Sequence, residues 1–116
     1  MSGRRADRVA EAVREVIAEL LLREIKDPRI GMVTLTSVEL SDDLKHGRVY
    51  FSCVGDEAVR QRSLSGLRSA AGFIKAQVTR RLKLRYAPDL TFVFDPTLEV
   101  ADRLSTLLKD ARSKDE

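Results

Sequence analysis

The chain has 116 residues and a mass of 13.0 kDa, enough for one domain with its own hydrophobic core and too short for two of ordinary size. Of these residues 43% are apolar and 34% charged; no apolar run nears the roughly 18 to 20 residues of a membrane span, and Met1-Ser2-Gly3-Arg4-Arg5 opens no apolar signal core. The single cysteine, Cys53, excludes an internal disulfide and a multi-cysteine zinc site, so a cytoplasmic protein without a cofactor is expected.

Val9, Val13, Val16, Ile17, Leu20, Leu21 and Ile25 recur at steps of three and four, which predicts an amphipathic helix of about five turns. Pro28 restricts the residue before it, so that helix is expected to end near Asp27. Met32 to Leu40 is rich in β-branched residues and reads as a strand. Val33 and Leu35 share one face while Val38 and Leu40 fall on the other, which predicts a bulge near Thr36-Ser37. Ser41 to Gly47 is a polar connector with turn chemistry. Arg48 to Val54 reads as a second strand with Val49, Phe51 and Cys53 on one face, and its nearness to the first predicts an antiparallel hairpin.

Asp56 is placed to cap a helix, in which Val59, Leu64, Leu67, Ala71, Ile74, Val78 and Leu82 keep helical spacing over about 25 residues. Ala70-Ala71-Gly72 interrupts this stretch. A glycine inside a helix costs about 1 kcal/mol relative to alanine, so two helices meeting there are expected. Leu90 to Phe94 reads as a third strand with Leu90, Phe92 and Phe94 toward the core. Asp95-Pro96 then signals a last helix carrying Leu98, Ala101, Leu104, Leu108 and Ala111, followed by a charged tail from Arg112 expected to fray. The predicted order is α-β-β-α-α-β-α, one two-layer α+β domain spanning 1–116 with three strands and the helices on one face.

The net charge of +3 is modest, but its distribution is not even. Residues 61–88 hold seven cations (Arg62, Arg68, Lys75, Arg80, Arg81, Lys83 and Arg85) and no acid. An acid-free block in an otherwise balanced chain makes a one-sided positive potential, the footprint of a phosphate-rich partner. The plain alternative is a solvated helix whose end carries favourably placed cations.

Residues that do chemistry are few. His46, the only histidine, lies in a polar loop; Asp42-Asp43 reads as a turn before it reads as a magnesium site; and neither a phosphate-binding glycine loop nor a dinucleotide fingerprint is present. Cys53 reads as a small buried hydrophobe. Only six residues are aromatic, and most fall at core-facing positions. A stacking platform is therefore poorly supplied, which favours recognition of folded RNA through phosphate and sugar.

Five local motifs occur in order along the chain: Lys26-Asp27-Pro28-Arg29-Ile30-Gly31, Val38-Glu39-Leu40-Ser41-Asp42-Asp43-Leu44, Val49-Tyr50, Ala70-Ala71-Gly72-Phe73, and Leu84-Arg85 with Pro88-Asp89-Leu90-Thr91-Phe92. Together with the order of elements they resemble a type II KH domain and, more narrowly, the bacterial ribosome-binding factor A family, from about Arg5 to Leu108. The resemblance implies a non-enzymatic factor that binds the free small (30S) ribosomal subunit and 16S rRNA late in maturation, including processing at the 5′ end, and that supports growth in the cold. It also implies that Ala70-Ala71-Gly72 stands in for the Gly-x-x-Gly backbone clamp of KH domains. The candidate RNA-binding residues are Arg4, Arg5, Arg8, Lys26, Arg29, Arg68, Ala70, Ala71, Gly72, Lys75, Arg80, Arg81, Lys83 and Arg85. A monomer without membrane contact or small-molecule substrate is expected. The competing reading is a protein-interaction module that binds an acidic partner through a strand edge or the last helix.

Overall fold

Ala6, Ala10, Val13, Ile17 and Leu20 alternate at steps of four and three and are all buried, which gives helix α1 (Arg4–Arg23) its apolar stripe. The computed structural model describes residues 4–96. After α1 come β1 (Val33–Leu40), β2 (His46–Cys53), α2 (Glu57–Arg81) and β3 (Asp89–Phe94). Helix α1 stops a turn earlier than Pro28 alone would require. The amides of Glu24 and Ile25 both donate to the Leu20 carbonyl (2.9 and 2.8 Å), and Ile25 turns inward to pack on the core.

The expected hairpin is present, with its bulge. Leu35 pairs with Phe51 and Ser37 with Tyr50, so Thr36 has no partner across the ladder. That single extra residue returns Val38 and Leu40 to the face already occupied by Val33 and Leu35, where their partners are Val49 and Gly47. Strand β3 pairs with β2 in parallel, Val49 opposite Phe92 and Phe51 opposite Phe94, giving a mixed sheet in the order β1-β2-β3. One face is therefore apolar throughout. Leu35, Val49, Phe51 and Phe92 join Val13, Ile17 and Leu20 of α1 and Leu67, Ile74 and Val78 of α2 in one core. Both helices cover that face, α1 over β1 and α2 over β2 and β3.

Two expectations change. The first concerns Ala70-Ala71-Gly72, where two helices were expected to meet: α2 runs unbroken for 25 residues, capped by Asp56, whose carboxylate accepts from the Val59 amide at 3.0 Å. Leu67 before the small residues and Ile74 and Val78 after them are fully buried in the same core. Burying each such side chain is worth roughly 1.5–3 kcal/mol, which outweighs the roughly 1 kcal/mol penalty of one helical glycine. The second is the order itself, which is α-β-β-α-β among the described residues. The helix expected from Leu98 to Ala111 and the tail beyond it lie outside them. Asp95, read as the cap of that helix, accepts from the Thr36 hydroxyl at 2.8 Å and so ties the bulge of β1 to the end of β3.

Candidate nucleic-acid interface

The outer side of α2 carries the basic block. Arg62, Ser65, Ser69, Gly72, Ala76 and Arg80 are exposed at steps of three and four, with Arg68 and Phe73 exposed beside them, and no acid lies between Glu57 and Asp89. In the middle of this stripe, beside the exposed Phe73, Gly72 carries no side chain, and beyond its chain neighbours an added Cβ there would have nothing within 4 Å. A partner could reach the helix backbone between the arginines at either end. Ala70 and Ala71 face the other way and pack against the core, so the small-residue motif is split between two sides of one helix.

The helix ends in a cap that extends this surface. Lys83 has φ of 52°, its amide donates to the Arg80 carbonyl (3.3 Å), and the Leu84 amide donates to the Thr79 carbonyl (3.0 Å). These two bonds form a Schellman closure, a position usually given to glycine because a Cβ costs roughly 1–2 kcal/mol in the left-handed region. Leu82 and Leu84 pack on the core, which leaves Lys83 and Arg85 exposed beside Arg80.

The remaining predicted residues are not all gathered there. Arg81 is half-buried and bridges to α1, with Nη2 2.9 Å from Glu24 Oε1 and Nη1 3.8 Å from Glu19 Oε2. It is a clasp between helices, and its charge is answered within the protein. Lys75 Nζ lies 2.7 Å from Asp89 Oδ1 and holds that carboxyl below the usual range. Arg29 is similarly held by Asp27 at 2.7 Å, and its guanidinium lowers the Asp27 pKa. Lys26 is exposed in the segment after α1. Arg4 opens α1, and Arg5 and Arg8 are exposed on its first turns, Arg8 about 22 Å along the helix from its last residue, Arg23. Arg5 and Arg8 thus lie at the far end of α1 from Arg81.

Two residues were missed by reading the sequence. Lys45 Nζ lies 4.9 Å from the centre of the Tyr86 ring, and Arg85 Cζ 5.4 Å from it. No local signal joins Lys45 to Tyr86, because their proximity depends on the parallel register that sets His46 beside Asp89. Asp43, once a metal candidate, spends its carboxylate on the turn: it accepts from the Ser41 hydroxyl (2.7 Å) and the Lys45 amide (3.0 Å), and the Ser41 bond chiefly lowers its pKa.

Comparison with known proteins adds the decisive observation. The sequence profile described as Ribosome-binding factor A matches residues 5–108. The chain belongs to the ribosome-binding factor A family. It is a family of non-enzymatic ribosome-binding factors. The chain is 42% identical over 112 residues to ribosome-binding factor A of Geobacter metallireducens, covering 97% of this chain and 95% of that one. To the Trichlorobacter lovleyi member it is 44% identical over 110 residues, 95% and 89% of the two chains. The crystal structure of the Thermus thermophilus factor superposes with a TM-score of 0.66 at 26% identity, over 76% of this chain and 93% of that one. A second set of coordinates for the Thermus thermophilus factor, fitted into a cryo-EM map of its 30S complex, gives 0.65 at 25% identity, over 78% and 96%. No helix among the described residues is long and apolar enough to cross a membrane.

Proposed function

We propose that this chain is a non-enzymatic assembly factor that binds the free 30S subunit and its 16S rRNA late in maturation, including the processing of the rRNA 5′ end. The observation that carries the reading is the outer face of α2 after Glu57, free of acids, without a side chain at Gly72 and flanked by Arg68, Arg80, Lys83 and Arg85. Family membership supports it, since a Thermus thermophilus relative is described in a 30S complex. The site is a phosphate- and backbone-reading surface: the arginines neutralise phosphates, and the bare helix lets the RNA backbone come close. Arg5 and Arg8, with Arg4, add a second contact from the other end of α1, and Lys26 and Arg29 a third after it. Lys75 and Arg81 act through their internal ion pairs by shaping this surface. Residues from about 5 to 110 form one KH type II-like domain, acting in the cytoplasm as a monomer and serving growth in the cold.

The test is co-sedimentation of the protein with 30S subunits at rising salt. Wild-type protein should travel with free 30S subunits, stay absent from full ribosomes, and be released as salt rises. Replacing Arg68, Arg80 and Lys83 together by alanine should weaken binding and flatten the plot of log affinity against log salt by roughly 0.7–0.9 per lost phosphate contact. An unchanged slope overturns the site, and association that survives nuclease favours a protein partner instead.

A further inference from the structure

Tyr86 stands half in solvent, 51% exposed, in the connector between α2 and β3, and it takes no part in the hydrophobic core. Lys45 and Arg85 stand against its ring at 4.9 and 5.4 Å. The position of Lys45 is set by its backbone. The Lys45 amide donates to Asp43 Oδ1 (3.0 Å) and its carbonyl accepts from the Asp89 amide (2.8 Å), so Lys45 is fixed from both neighbouring segments. Of the acids beside this group, Asp89 is answered by Lys75 at 2.7 Å and Asp43 accepts from the Ser41 hydroxyl and the Lys45 amide, so neither forms an ion pair with the Lys45 ammonium or the Arg85 guanidinium. The result is a half-exposed aromatic ring with two cations against it, at the end of the sheet where β2 and β3 begin.

From this arrangement we infer that Tyr86 is a stacking site for one unpaired nucleobase, with Lys45 and Arg85 reaching the phosphates on either side of it. The inference deepens the RNA-binding function proposed above and rests on it. Duplex surfaces supply phosphates but no free base face, whereas a single-stranded nucleotide supplies both; an acidic peptide would satisfy the two cations and leave the ring without a partner. The protein would thus hold folded rRNA along α2 and one splayed nucleotide at Tyr86.

Two tyrosines and no tryptophan make the test direct. In the full chain carrying Tyr50→Phe, Tyr86 is the sole tyrosine, and its emission is followed during titration with single-stranded oligoadenylate, with a fully paired RNA hairpin and with polyglutamate. Oligoadenylate should quench the emission. Affinities of the parent and of the variants without tyrosine are compared by titration calorimetry: Tyr86→Ala should weaken oligoadenylate binding about tenfold, as loss of one stacked base predicts; Tyr86→Phe should retain it, and hairpin binding should be the same in all three proteins. The stacking site is overturned if oligoadenylate leaves the emission unchanged, if Tyr86→Ala binds it like the parent, or if polyglutamate quenches and responds to the substitution equally. Co-sedimentation with 30S subunits separates the two levels. Parent protein that fails to bind subunits strikes the underlying function, while parent and Tyr86→Ala that both bind them, with oligoadenylate affinity unchanged, strikes the stacking site alone.

Discussion

Gly66 and Gly72 lie six residues apart in the same helix and answer to different surroundings. Gly66 is buried on the inner side of α2, where an added Cβ would come 2.6 Å from Ile30 Cγ1 and 3.3 Å from Arg29 Cβ. Gly72 is on the outer side, where the same atom would meet nothing within 4 Å. The first glycine is required by the segment that follows α1, which passes too close for any side chain. The second weakens the helix by about 1 kcal/mol and gains nothing inside the fold. On the function proposed above, its reason lies outside the chain, at the RNA-binding surface. Lys83 is its mirror image, a lysine in a left-handed position that glycine would occupy more comfortably. Departures from local preference at two points of one acid-free surface are what a binding site produces.

Substitution sharpens this contrast. Gly66→Ala should have the largest effect on the fold. An approach of 2.6 Å falls in the upper part of the overpacking range, about 2–3 kcal/mol, and the gain in helix propensity returns about 1, so urea unfolding should show a net loss of roughly 1–2 kcal/mol. Gly72→Ala should do the reverse, stabilising the domain by about 1 kcal/mol while weakening 30S binding. A variant that is both more stable and undiminished in binding would break the comparison. Lys83→Gly should give the smallest change, a gain of about 0.5–1 kcal/mol once the greater freedom of glycine in the unfolded chain offsets the relief of left-handed strain. Its binding should fall with a shallower salt dependence.

What was legible in the sequence was local. The stripe of α1, the bulge at Thr36 and the Asp56 cap follow from residues within a turn or two of each other, and each is found. The break at Gly72 was misjudged because a local penalty was weighed without the burial of Leu67, Ile74 and Val78 that holds the helix through it. Arg81 looked like the equal of Arg80 until Glu19 and Glu24, about sixty positions earlier, claimed it. Lys45 and Tyr86 were invisible as a pair, since only the pairing of β2 with β3 brings their segments together.

That pairing also sets a timetable. The last pair of the hairpin, Leu40 with Gly47, is separated by seven positions, whereas each residue of β3 meets a β2 partner 43 positions earlier. During synthesis the hairpin can zip almost as soon as it emerges. The other edge of β2 then waits for the whole of α2 and β3, roughly 2–9 s at about 5–20 residues per second. Through that interval the nascent chain carries an open strand edge, a template for any extended segment nearby, and β3 must arrive first.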